Sequence, residues 1–168
     1  MFLLYKSAVM QLEDKTYKEI NRLFKFTCNP VEKYGTVEKA EENLKKWGKS
    51  NLLIPSENHA DWYRLAVDAL KLGKRVVIVT AFNPHYKYWF KWVWLYSSKI
   101  ILYRKHVIRF KGYDNFSPKD ICLILFDPEQ RKSPRKNLYH NYVGDKYEYF
   151  RLPLKVRKED VDVSSDEK

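Results

Sequence analysis

The stretch 50–82, SNLLIPSENHADWYRLAVDALKLGKRVVIVTAF, constrains the fold more than any other part of the chain. Asn51 to Ile54 make a short, largely apolar run that stops at Pro55, which has no amide hydrogen to give to a sheet ladder. From Asn58 onward Trp62, Leu65, Ala66, Ala69 and Leu70 recur at helical spacing, and Gly73 supplies the stop. The next run, Arg75 to Phe82, is rich in β-branched residues without polar alternation, as suits a strand buried on both faces. Strand, helix and strand in this order predict a parallel pair joined by a right-handed crossover. The class is therefore α/β, with Asn58 as the expected cap of the helix.

The flanking segments extend this reading. Residues 12–24 hold Leu12, Tyr17, Ile20, Leu23 and Phe24 at mostly helical spacing, with Asp14 as a candidate cap. FKFTCNP at 24–30 reads as a short strand stopped by Pro30, and TVEKAEENLKKWGKS at 36–50 as a helix ended by Gly48. Later come a helix in HYKYWFKWVWLY and strands in KIILYR, HVIRFKG and DICLILFD, with an antiparallel pair or hairpin late in the sheet. Past Phe126 the character changes. DPEQRKSPRKN is a basic loop without apolar periodicity, and LYHNYVGDKYEYFRLPL predicts an aromatic hairpin turning at Gly144-Asp145. The expected organisation is an α/β domain over 1–126, a basic loop and hairpin extension over 127–154, and a polar, frayed tail over 155–168.

Charge narrows the class of partner. The chain has 32 Lys and Arg against 21 Asp and Glu, a formal net charge of +11. Such an excess attracts polyanions over long range and releases counterions on contact, so DNA is the first candidate partner, with mere solubility as the alternative. Cys28 and Cys122 are far apart and lack metal-ligand spacing, which argues against a disulfide framework or a zinc module and for a reducing, intracellular setting. MFLLYKSAVM is too short in apolar residues for a signal peptide, and no later run approaches a membrane span. A soluble protein with no membrane partner is expected.

Five pieces in order, FTCNP at 26–30, NLKKW at 43–47, LLIPSE at 52–57, VVIVTAF at 76–82 with Trp89-Phe90, and IILYRKHVIRFKGYDNFSPKDICLILF at 100–126, follow a known order. From Tyr17 to Phe126 the chain resembles the bacteriophage DNA N-6-adenine methyltransferase family. The resemblance implies a Rossmann-like, methyltransferase-type mixed sheet with flanking helices, here with the C-terminal β-hairpin extension. It also implies S-adenosylmethionine as cofactor, DNA as substrate and a viral chain working in the host cytoplasm. The family has a strand ending in Asn-Pro-Pro-Tyr, whose Asn or Asp and following backbone accept hydrogen bonds from the target amino group while the Tyr stacks on a flipped base. On this chain those roles fall to Pro55, Ser56, Glu57 and Asn58, and the grip on the cofactor ribose to Asn29 beside Pro30.

The motif is altered at its chemistry. With Pro55 as the first proline, Ile54 replaces the Asn, Ser56 the second proline and Glu57 the ring; with Pro55 as the second, Leu53 replaces the Asn and Ser56 the Tyr. An aliphatic side chain accepts no hydrogen bond, and a carboxylate offers no stacking face. Glu57 or Asn58 is the substitute acceptor on offer. No Gly-x-Gly is present to let backbone approach the cofactor. The expectation is a DNA-binding protein in which methyl transfer is absent or very slow. An active, divergent adenine methyltransferase and a non-catalytic interaction scaffold are the two alternatives.

Other candidates are weaker or serve binding. His59, His85, His106 and His140 show no ligand spacing, and Ser56 lacks a nucleophile elbow, so neither a metal site nor a hydrolase is expected. The presumed helix 86–97 has aromatic residues on nearly every face, so either sheet, hairpin or another subunit covers it, or it stacks on bases with Lys87 and Lys91 on phosphates. Arg104, Lys105, Arg109 and Lys111 on late strands and their turn, and Arg131, Lys132, Arg135 and Lys136 on the basic loop, are the candidate phosphate contacts.

Overall fold

The computed structural model describes residues 10–103, 107–112, 120–129, 139–143 and 146–150, the last two ranges in backbone alone. Its helices are α1 (Asp14–Phe24), α2 (Pro30–Tyr34), α3 (Val37–Glu42), α4 (His59–Lys71) and the short α5 (Trp94–Tyr96), which continues a π-helical stretch at Trp89–Val93. The strands are β1 (Ser50–Leu53), β2 (Arg75–Ala81), β3 (Lys99–Tyr103), β4 (Ile121–Phe126), β5 (Tyr139–Val143) and β6 (Lys146–Phe150). They form one mixed sheet in the order β1-β2-β4-β3-β6-β5.

β1 and β2 are parallel, with Leu52 opposite Val77 and Leu53 opposite Ile78, and α4 is the crossover between them, as the sequence predicts. The remaining pairings are antiparallel: β4 lies between β2 and β3, and the hairpin joins through β6 to β3. Val143 faces Lys146 across β5 and β6, so the two strands are separated by Gly144 and Asp145 alone. The hairpin lengthens the main sheet.

Alternate residues of each central strand go to opposite faces, which is why these strands read as unbroken apolar runs. Leu53, Val76, Ile78, Ile100, Cys122, Ile124 and Phe126 share one core with Trp62, Tyr63, Leu65 and Ala66 of α4 and with Trp89 and Val93. Leu52, Ile54, Val77, Val79, Ile101, Leu123 and Leu125 share the other with Ile20 and Phe24 of α1 and with Ile108 and Phe110. Removing one such side chain, as in Ile78→Ala, costs about 2–5 kcal/mol.

Four local expectations are corrected. Asp14 is inside the first turn of α1, where its carboxylate meets Lys111 Nζ at 3.1 Å; the cap position belongs to Glu13, whose side chain makes no capping bond. FKFTCNP yields only a bridge of Cys28 to Asn51, because Asn29 and Pro30 already start α2. The helix expected over 36–50 breaks after Glu42, where Asn43 Nδ2 donates to the Lys39 carbonyl, and a 3-10 turn follows at Leu44–Lys46. HVIRFKG is not a strand in its described part. Phe110 bridges Leu12, and β3, flanked by β4 and β6, has no free side for it.

The antiparallel position of β4 gives the sheet two dissimilar rims. Ala81 of β2 and Tyr103 of β3 both lie opposite Ile121, so the ends of β1, β2 and β3 share one rim. Ser50, Arg75, Lys99, Phe126 and Tyr139 stand at the other.

Candidate functional site

The turn after β1 brings three of the four expected catalytic positions to one surface. Ile54 and Pro55 are buried beneath it, while Ser56, Glu57 and Asn58 are exposed and line a cavity of about 150 Å³ together with Gly35, Thr36, Glu38 and Trp62. Asn58 has left-handed backbone, φ 53° and ψ 40°, and its side chain makes no capping hydrogen bond. Side-chain capping needs extended backbone at that position, so the expected cap role is corrected. The Asn58 carbonyl instead accepts from the amides of Asp61 and Trp62.

Beside this turn a row of rings crosses the same rim. His59, the first residue of α4, stacks on Tyr88 with centroids 6.4 Å apart and planes 17° apart. Tyr88 stacks on Tyr86 at 5.4 Å and 9°, and Tyr86 meets His85 at 4.5 Å and 33°. The row runs from half-buried His59 and Tyr88 to exposed Tyr86 and His85. Burial holds the His59 pKa below the ordinary histidine value, against the opposing effect of its hydrogen bond to the Pro55 backbone. The imidazole is therefore neutral at neutral pH.

The rings are set from below. Tyr63 of α4 packs on Tyr88 at 5.0 Å and on Trp89 at 6.4 Å, and Phe82 meets Trp89 edge-on at 5.5 Å. Trp89 is fully buried, as is Tyr63, whose hydroxyl lies against Thr80. Burial pushes the Tyr63 phenol well above its ordinary pKa, so it stays protonated. The helical stretch expected at 86–97 is thus largely packing: Trp89 and Val93 are buried, Trp92, Trp94 and Tyr96 are half-buried, and Phe90 and Leu95 remain exposed.

One run here was legible and is absent from the sequence-based expectations. β2 leads into Asn83-Pro84-His85-Tyr86 on the rim it shares with the end of β1. The Asn and the Tyr that the first turn lacks stand in the second. The signal is an Asn-Pro-x-Tyr run directly behind a buried strand.

The opposite rim is basic. Phe24, Lys25, Thr27, Lys49, Ser50, Gly73, Arg75, Asp127, Pro128 and Glu129 line a cavity of about 490 Å³. Arg75 is held by Asp127 at 3.4 Å and Glu129 at 3.8 Å, and Lys74 Nζ donates to the carbonyls of Lys45 and Trp47. Lys25 and Lys49 have no such ion pair among the described residues. β4 ends and β5 begins at this rim, and Arg131, Lys132, Arg135 and Lys136 fall between the two strands in sequence. Those four residues, with Arg104, Lys105 and His106, lie outside the described residues. Arg109 and Lys111 belong to the segment that crosses Gln11 to Glu13 and are not part of a strand, which corrects their expected position.

Asn29 and Pro30 serve α2. Asn29 Oδ1 accepts from the Glu32 amide at 3.3 Å and its Nδ2 donates to Glu32 Oε2 at 3.2 Å, while Pro30 is buried in the first turn. The carboxamide meant for the ribose is thus engaged within the first turn of α2. No group of three His, Cys, Asp or Glu among the described residues could hold a metal ion. No helix among them is long and apolar enough to cross a membrane. No family model, curated protein or solved structure matches the chain.

Proposed function

We propose that the chain is a DNA-binding protein on a Rossmann-like, methyltransferase-related fold that has given up methyl transfer. The observation carrying the binding is the basic rim: Lys25 and Lys49 beside a cavity of about 490 Å³, with the ends of the connection that holds Arg131, Lys132, Arg135 and Lys136 at the same rim. The net charge of +11 over the whole chain favours a phosphate backbone as partner. The kinship is supported by the β-α-β unit whose turns face one rim, and by the antiparallel β4 within a mixed sheet. Loss of methyl transfer is supported by the aliphatic Ile54 and the carboxylate of Glu57 in the turn after β1 and by the engaged Asn29, whereas Asn83-Pro84-His85-Tyr86 after β2 favours the active, divergent methyltransferase as the alternative.

Titration of labelled duplex DNA over a range of salt tests the binding. Affinity should fall with a logarithmic slope of roughly −0.9 per phosphate neutralised, and replacing Arg131, Lys132, Arg135 and Lys136 by Ala should weaken binding and flatten the slope. Absence of binding at low salt contradicts the proposal, and stoichiometric, DNA-independent association with a protein would favour the scaffold alternative. Labelled methyl transfer to DNA should be undetectable; robust turnover, abolished by Glu57→Ala, would restore the enzyme.

A further inference from the structure

The run EDVDVSSDE at 159–167 carries five carboxylates in nine residues and no Lys or Arg, in a chain whose net charge is +11. A block of one sign in a chain of the other is often an interaction segment. Phe150, the last residue of β6, stands opposite Lys99 and Tyr139, so the chain leaves β6 at the basic rim. β1 lies four strand positions from β6, about 19 Å at the ordinary spacing of strands. The eight residues 151–158 span about 30 Å when extended, enough to carry Glu159 across the rim to Lys25 and Lys49.

We propose that the acidic run 159–167 docks on the basic rim at Lys25 and Lys49 and competes there with DNA phosphates. This rests on the DNA-binding reading and adds regulation of the same site. The rim already takes carboxylates: Arg75 is held by Asp127 at 3.4 Å and by Glu129 at 3.8 Å. Lys25 and Lys49 are exposed beside the cavity of about 490 Å³ and have no such ion pair among the described residues, so they are the cations on which a further anion gains most. A tether of this length holds the run near the rim at an effective concentration in the millimolar range, about. Isolated anions are thereby kept off, while a duplex displaces the run because its phosphates neutralise more cations at once.

The test uses the full chain as wild type, as Lys25→Ala/Lys49→Ala, and with Glu159→Gln, Asp160→Asn, Asp162→Asn, Asp166→Asn and Glu167→Gln together, in both backgrounds. A zero-length carbodiimide cross-linker should join 159–167 to Lys25 or Lys49 in the monomeric product, as read by mass spectrometry, and duplex DNA should suppress that link. In low-salt titrations the five carboxamide substitutions should tighten duplex binding roughly 5- to 20-fold, the gain expected when the run occupies the rim about 80–95% of the time. In the lysine-free background the same substitutions should gain much less. Lys25 and Lys49 are exposed, so circular dichroism should report an unchanged fold when they are replaced. Cross-links confined to Lys155 and Lys158, or an equal gain in both backgrounds, would overturn the docking and leave the DNA-binding reading standing. If neither wild type nor the carboxamide variant binds DNA at low salt, the DNA-binding reading itself falls, and the competition with it.

Discussion

The two rims of the sheet, about 20 Å apart along the seven residues of β2, are built by opposite means. On the aromatic rim each ring is held by another, down to Tyr63 and Trp89 in the core, so its geometry depends on packing. On the basic rim Lys25 and Lys49 are flexible side chains around an open cavity, and their field needs only approximate placement. Packing gives orientation, and charge gives reach.

The contrast can be broken first from below. Trp89→Ala should cost about 3–5 kcal/mol in denaturant unfolding, since Trp89 is fully buried against Tyr63, Phe82 and Trp94. A loss under about 1 kcal/mol would mean that the ring row is not set by the core. Gly48→Ala is the corresponding test beside the basic rim. A Cβ there would collide with Thr27 Oγ1, which shares hydrogen bonds with the backbone of Ser50, so a loss of about 1–3 kcal/mol is expected from the same unfolding measurement.

A smaller effect concerns pH. Because burial lowers the folded-state pKa of His59, the folded protein binds fewer protons there than the unfolded chain. Its contribution is complete above the ordinary histidine value, about 6.5, and is lost as pH falls through the lower folded value. Unfolding midpoints at pH 7.5 and 5.5 should therefore drop more in wild type than in His59→Phe; equal drops would show that His59 is not the titrating ring. The smallest effect is assigned to the pair of Arg64 with Glu41 at 2.8 Å, which ties α4 to α3 away from both rims. Its hydrogen bond lowers the Glu41 pKa, yet the pair is solvent-screened, and Arg64→Ala should change neither stability nor binding beyond measurement error.

How much of this was readable in the sequence depends on the range of the interaction. The β1-α4-β2 unit was legible because Pro55, Gly73 and the apolar spacing are local signals, and so was the pairing of β5 with β6 across a two-residue gap. The segment at 106–112 alternates like a strand, and only the sheet order explains why its described part does not become one. The ring row was illegible because His59 and Tyr88 are far apart in sequence and meet only when α4 packs on the stretch after β2. Asn83-Pro84-His85-Tyr86 needed no structure to be seen. The basic rim was half legible: the charge was plain, whereas Lys25 and Lys49 join it only through backbone bonds of Thr27 to Ser50 and of Arg75 to Lys49.

The proposed role of the basic rim is tested most directly by the salt dependence of duplex-DNA affinity in wild type and the double variant Lys25→Ala/Lys49→Ala. Plotted as logarithms, the lysine variant should give a shallower line than wild type, by up to roughly 0.9 in slope for each phosphate that is no longer neutralised. An unchanged slope in the lysine variant would contradict the account.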